Sequence, residues 1–148
     1  MSRLRLENYF SEYSSSHLNL VNKRIHMFAV PLISLSVMGL LMSIPRPIWF
    51  MDCIDWSTPF IIGALAFYFS FRNLRLIVVI ILFFAVQLLI LNWMKPQLFL
   101  PCLLIFILAW IAQFYGHHLE GKKPAFFKDL FFLLIGPLWV LKSLKFLK

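Results

Sequence analysis

Hydrophobic positions along the 148-residue chain fall into four long runs separated by short polar loops. The runs cover residues 27–44, 59–71, 76–93 and 98–115. A membrane-spanning helix needs about 20 predominantly apolar residues, with a usual range of about 17 to 25. The first, third and fourth runs meet this requirement, whereas the second approaches it only when Trp56 and Ser57 are included. The pattern predicts four transmembrane helices joined by tight hairpins.

Two further segments flank the four runs. Residues 2–26 are mostly polar, but one helical stripe carries Leu6, Phe10, Tyr13 and His17. This spacing predicts an amphipathic segment at the membrane surface. Residues 130–141 are apolar but too short to span comfortably and are interrupted by Gly136-Pro137, which predicts a re-entrant or interfacial helix. The chain is therefore predicted to be a single all-α membrane domain, with an interfacial segment (1–26), four spans (27–115) and a cytoplasmic loop with the last helix (116–148).

The composition agrees with a lipid environment. Hydrophobic residues make up 61% of the chain and charged residues only 14%, against about 25% charged in a soluble domain. The net charge of +8 does not indicate nucleic-acid binding, because the basic residues flank apolar runs and form no patch with interleaved aromatics. A rim of basic residues at the cytoplasmic membrane face, next to anionic lipid, explains the positive net charge. The tryptophans and phenylalanines are assigned to lipid-facing and interfacial belt positions.

Basic residues also orient the chain. Arg24 precedes the first span, Arg72 and Arg75 lie between the second and third, and Lys122-Lys123 follow the fourth. With four spans, all of these positions lie on one side of the membrane. The positive-inside rule then predicts that both termini are cytoplasmic.

The four histidines of the chain are predicted to lie near that same membrane face. His17 and His26 precede the first span, and His117 and His118 follow the fourth. Because an even number of spans returns the chain to its starting side, topology alone brings together imidazoles from opposite ends of the sequence.

Helical spacing refines this convergence. One face of a continued fourth helix carries Trp110, Gln113, His117 and Glu120. Asn22 and His26 share a face where the first span begins. His17 is out of phase with His26 and joins the same site only if the chain bends after the serine run. His118 points about 100° away from His117 on a continuing helix.

Neutral imidazoles with a carboxylate suit a borderline metal ion. We expect His17, His26, His117 and Glu120 to provide a set with open positions of the kind used by non-heme Fe(II), with Asn22 and Gln113 orienting the imidazoles. Taken singly, each histidine is better explained as an interfacial residue than as a ligand, so a non-enzymatic lipid-binding or scaffold protein stays the alternative. A zinc hydrolase is a second alternative. A transporter is disfavoured because no Asp, Glu, Lys, Arg or His falls inside the four runs.

Two histidine motifs carry a resemblance to a known family. The first is Tyr13-x3-His17-x4-Asn22-x3-His26-x4-Pro31, and the second is Trp110-x2-Gln113-Phe114-x-Gly116-His117 followed by Glu120-x3-Pro124-Ala125. Together they resemble a family of small membrane proteins whose yeast member is an Fe(II)-dependent 2-hydroxy fatty acid α-dioxygenase. The resemblance extends from Tyr13 to Gly136-Pro137.

The resemblance implies α-oxidation, in which a 2-hydroxy fatty acid reacts with dioxygen to give an acid one carbon shorter. By position it implies Fe(II) held by His17, His26 and His117, with Glu120 a ligand or a neighbouring partner. The adjacent His118 is the other candidate ligand, although the match at Gly116 favours His117. Supporting roles fall to Tyr13, Asn22 and Gln113, and Lys122 and Lys123 are candidates for the substrate headgroup. The expected location is a bacterial cytoplasmic membrane or the endoplasmic reticulum, and homo-oligomerisation stays open.

Overall fold

The computed structural model describes residues 2–15, 17–48, 51, 54–121 and 126–144, with side chains in all of these except 2, 3, 5 and 126–133. The described residues form helices and no strand, which confirms the all-α prediction. The helices are α1 (Ser2–Ser15), α2 (Leu20–Ser43), α3 (Ser57–Phe69), α4 (Leu74–Met94), α5 (Phe99–Glu120) and α6 (Phe126–Ser143).

Three of these helices are long and apolar enough to cross a membrane. They are α2, α4 and α5, with 24, 21 and 22 residues. The helix α3 has 13 residues and is about 20 Å long at 1.5 Å per residue, shorter than a hydrocarbon core of about 30 Å. The structure therefore supports a helical membrane protein, and the count of four spans stays a prediction.

The predicted N-terminal segment 1–26 divides into three parts. The helix α1 ends at Ser15, a turn follows at residues 17–19, and α2 begins at Leu20, well before its apolar run. Asn19 starts α2 because its side-chain oxygen accepts hydrogen bonds from the amides of Val21 (2.8 Å) and Asn22 (3.3 Å). The bend required for His17 to join His26 is therefore present.

The longest helix contact lies between α2 and α5, which run antiparallel. Asn22 lies against Gly116, Ala29 and Ile33 pack with Ala109, and Gly39 lies against Cys102. Small residues at these positions allow two helix backbones to approach closely. The antiparallel packing brings the beginning of α2 to the end of α5.

The helices α2 and α4 run parallel to each other. Gln87 of α4 accepts a hydrogen bond from Ser34 Oγ (3.0 Å) and donates one to the Pro31 carbonyl (3.2 Å). Further along both helices, a methyl group at Gly39 would lie 2.9 Å from Leu91. The beginnings of α2 and α4 and the ends of α3 and α5 therefore form one end of the bundle, which we call the histidine end. The opposite end is the far end.

The helices α1 and α6 pack antiparallel at the histidine end. The Lys142 Nζ atom lies 4.3 Å from the centre of the Phe10 ring, and the Tyr13 and Trp139 rings are 5.1 Å apart. The helix α6 continues through Gly136-Pro137, so the expected interruption there is wrong. Gly136 allows close contact with α2, because a Cβ atom there would lie 2.9 Å from Val30. Residues 135–141 are all buried, so this part of α6 is enclosed by other helices.

Candidate metal centre

Three histidines converge at the histidine end of the bundle. His17 comes from the turn between α1 and α2, His26 from the second turn of α2, and His117 from the last turn of α5. One ring nitrogen from each lies within 4.8 Å of the others. The rings are buried, with 6%, 1% and 7% of their surfaces exposed. The convergence predicted from topology is present in the geometry.

Backbone carbonyls orient two of the three imidazoles. His17 Nδ1–H donates to the Tyr13 carbonyl at 2.7 Å, and His26 Nδ1–H donates to the Asn22 carbonyl at 3.0 Å. A proton on Nδ1 leaves the lone pair on Nε2, which is the usual arrangement of a metal-binding histidine. The Gln113 side chain lies within hydrogen-bonding reach of the His26 ring. The structure therefore has Tyr13, Asn22 and Gln113 next to the imidazoles.

An aromatic cover encloses His17 from the α1 and α6 side. The Tyr13 ring is stacked on the His17 ring at 4.3 Å with 7° between their planes. The Trp139 ring lies 5.5 Å from His17, and its indole N–H donates to Ser14 Oγ at 2.9 Å. Trp139 is only 4% exposed, so its assignment to a lipid-facing or belt position is wrong. Lys23 is the nearby cation, with Nζ 5.5 Å from the centre of the Trp139 ring.

Glu120 lies beside the three histidines but outside their group. Its carboxylate accepts hydrogen bonds from the amides of Leu18 (2.8 Å) and Asn19 (2.9 Å) and from the Asn22 side-chain amide (3.0 Å). Both carboxylate oxygens take part. In this geometry Glu120 joins the end of α5 to the beginning of α2.

Comparison with known proteins identifies the family. A family model described as 2-hydroxy-palmitic acid dioxygenase Mpo1-like matches residues 4–147. The chain belongs to the Mpo1-like family. No curated protein and no solved structure matches it. The family predicted from the paired histidine motifs is confirmed, and the Mpo1-like match includes both α1 and α6 with their aromatic cover.

The donor set of this Mpo1-like chain fits a first-row transition metal. Imidazole nitrogen suits Fe, Zn, Cu and Ni, and three such ligands leave positions open for other molecules. Nitrogens bound to one ion at about 2.1 Å lie about 3 to 3.5 Å apart, so separations within 4.8 Å need only small side-chain rotations for binding. The group fits a metal, and its donor atoms do not by themselves choose among these ions.

A further predicted ligand is not brought into the Mpo1-like cluster. The His118 side chain is exposed on α5, outside the three-histidine group. Lys122 and Lys123 lie outside the described residues. The sequence interpretation did not assign Trp139 to the site. One sequence feature could have indicated it: Trp139 lies three residues after Gly136 in an apolar stretch. Residues three apart share a helix face, so the small residue that approaches Val30 also places the indole beside the site.

Proposed function

We propose that this chain is a membrane-embedded Fe(II)-dependent dioxygenase that shortens 2-hydroxy fatty acids by one carbon. The observation that carries the proposal is the buried group of His17, His26 and His117, assembled from opposite ends of the chain. The family description supplies the substrate class, because it names a 2-hydroxy-palmitic acid dioxygenase.

The reaction balances without an external reductant. The C1–C2 bond of the 2-hydroxy acid breaks, C2 is oxidised from an alcohol to a carboxyl group, and C1 leaves as carbon dioxide. Dioxygen accepts four electrons, and the remaining product is one water molecule. The substrate supplies all four electrons, so no nicotinamide or flavin partner is needed.

The side chains have separable roles in this proposal. Bound iron would supply Lewis acidity for the hydroxyl and carboxylate oxygens of the substrate and redox chemistry toward dioxygen. His17, His26 and His117 would hold the ion, with Nδ1–H bonds to Tyr13 and Asn22 keeping two of the rings oriented. The Tyr13 and Trp139 rings would exclude bulk water from one side of the site.

The topology supports a site at the cytoplasmic membrane face. Since α2 and α4 are parallel, the chain between them must return from the far end to the histidine end, and α3 lies in that connection. This favours four crossings, and four crossings would leave both termini on one side. Arg72 and Arg75 lie at the histidine end, so the positive-inside rule favours a cytoplasmic location for it.

An interfacial site suits a substrate with a charged head and a long tail. The acyl chain would stay in the lipid phase while the carboxylate reaches the histidines. Lys23, beside Trp139, is a described cation at the edge of the site and would attract the carboxylate. Lys122 and Lys123, which follow α5 in the sequence, are proposed to assist.

Metal analysis of purified protein tests the proposal. Wild type should contain close to one iron per chain, because the described residues hold one such histidine group. The double variant His26→Ala/His117→Ala should contain almost none. His118→Ala is the matched control, since it removes an exposed imidazole from the same helix turn. Conversion of 2-hydroxypalmitic acid to pentadecanoic acid should follow iron content and stop without dioxygen. Equal iron in the wild type and the double variant would contradict the proposal.

A zinc hydrolase is the second candidate function, favoured by one observation. All three members of the group are histidines and none is a carboxylate, a set that also forms catalytic zinc sites. Activity that persists without dioxygen, together with zinc in the purified protein, would favour this candidate.

A further inference from the structure

The three proposed ligands are not held equally firmly. His26 and His117 lie on α2 and α5, whose long antiparallel contact fixes their relative position. His17 lies on the turn at residues 17–19, outside any helix. A ligand on a turn depends on whatever anchors that turn, so the site is complete only when residues 17–19 are fixed.

Glu120 provides this anchor from the last residue of α5. One carboxylate oxygen accepts the Leu18 amide, and the other accepts the Asn19 amide and the Asn22 side chain. These bonds are charge-assisted, which makes them stronger than bonds between neutral groups. They also lie at the beginning of α2, where the helix dipole and unsatisfied amides favour a negative charge.

The neighbouring packing leaves little freedom in this arrangement. Asn22 is fully buried, and its side chain occupies the space beside Gly116 where a Cβ atom would otherwise lie. The Asn19 side chain also reaches the Leu119 carbonyl at 3.5 Å. The turn and the first turn of α2 are therefore joined to the end of α5 through one carboxylate.

We propose that Glu120 is a positioning residue, whose carboxylate fixes the 17–19 turn so that His17 joins His26 and His117, and that it is not itself a metal ligand. The inference rests on the proposed function, in which the three histidines hold the metal. A Glu120 carboxylate turned toward the ion would have to leave the position in which it accepts the Leu18 and Asn19 amides. In the observed geometry it holds the turn and lies outside the three-histidine group.

The test uses full-length Glu120→Gln and Glu120→Ala proteins, with Glu7→Gln as the matched control on an exposed position of α1. Loss of a partner that orients a metal ligand typically weakens metal binding by about 10- to 100-fold. We expect weakening in this range for Glu120→Ala and a smaller effect for Glu120→Gln, whose amide oxygen keeps one acceptor. Chelator competition measures both, and Glu7→Gln should match the wild type.

Two further readouts separate anchoring from ligation. In the cobalt-substituted protein, the ligand-field spectrum of the metal-loaded fraction should be unchanged by Glu120→Gln and altered by His17→Ala. In the metal-free protein, the Leu18 and Asn19 amides should exchange hydrogen faster in the Glu120 variants, while amides inside α4 keep wild-type rates and report an intact fold. A changed cobalt spectrum in Glu120→Gln, or wild-type exchange at both amides, would overturn the inference. If wild type binds no metal, the proposed function fails, and the exchange rates still decide the anchoring role.

Discussion

The two ends of the helical bundle both carry polar side chains, but they hold them in different ways. At the histidine end, hydrogen bonds connect residues distant in sequence, such as Leu18 with Glu120 and Ser14 with Trp139. At the far end, two of the polar contacts between described residues are local: the Asp55 carboxylate accepts from the Ser57 amide, and the Trp56 indole donates to the Pro45 carbonyl. Long-range polar contacts fix side chains from several helices in one geometry, which a metal site requires.

The ends also differ in openness. The far end contains an open cleft of about 1250 Å³, with Arg46, Asp55 and Lys95 among its lining residues. The histidine end is covered by α1 and α6, and its three imidazoles are almost fully buried. A search for open clefts alone would therefore select the end away from the three histidines. The converging buried donor atoms point instead to the histidine end, where we propose the chemistry.

The largest expected effect comes from removing the central imidazole. His26→Ala should abolish iron binding, because His26 is 1% exposed and its ring faces both other imidazoles. Activity should fall by more than the roughly 100-fold that is typical when a residue supporting a metal ligand is lost. The matched change at the far end is Arg46→Ala, which should retain iron. Iron content and product formation measure both. Comparable losses in the two variants would remove the distinction between the ends.

The second prediction concerns helix approach at the site. In Gly116→Ala, the new methyl group would overlap the buried Asn22 side chain and displace it from Glu120, at a cost of about 1–3 kcal/mol in unfolding free energy. Gly63→Ala is the matched control, because nothing lies within 4 Å of a Cβ atom there. Its higher helix propensity should raise stability by up to about 1 kcal/mol. Unfolding in detergent and iron content distinguish the two variants, and similar behaviour would contradict the packing argument.

The third prediction concerns the aromatic cover. Trp139→Phe keeps an aromatic ring but loses the hydrogen bond to Ser14, which is worth about 1 kcal/mol. We expect that loss in the unfolding free energy together with a severalfold lower turnover. Trp93→Phe is the matched control, since Trp93 is 87% exposed. Unchanged turnover in Trp139→Phe would mean that the indole does not contribute to the site.

The smallest expected effect concerns substrate attraction. Lys23→Ala should raise KM for 2-hydroxypalmitic acid about fivefold with little change in kcat, in line with about 1 kcal/mol per basic residue near a charged surface. Lys95→Ala at the far end should leave KM unchanged. Steady-state kinetics at two salt concentrations would check that the difference is electrostatic. Equal KM values for Lys23→Ala and wild type would exclude Lys23 from carboxylate binding.

Much of this arrangement could be predicted from the pattern of residues. Hydrophobic runs located the long helices, and the expectation of an even number of spans put His26 and His117 at one end, where the structure also has them although they are far apart in sequence. The in-phase spacing of Gln113, His117 and Glu120 also agrees with one face of α5. These inferences depend on helical periodicity, which is a local property of the sequence, and on the alternating direction of successive helices, which follows from counting the hydrophobic runs.

Other features could not be predicted because they depend on tertiary contacts. The early start of α2 depends on the Asn19 side chain and on the Glu120 carboxylate that arrives from the end of α5. The burial of α6 depends on contacts with α1 and α2 that its apolar sequence does not specify, and Trp139 was misassigned for that reason. Nothing in the residue spacing shows that N–H groups engage both Glu120 oxygens.

The most direct test of the central claim is an X-ray absorption spectrum of the iron-loaded protein in its wild-type and His17→Ala forms. Three imidazoles from the turn, α2 and α5 should give strong histidine scattering in the wild type, reduced by one ligand in the variant. Identical spectra for the two proteins, or an iron surrounded only by oxygen, would contradict a metal centre built from both ends of the chain.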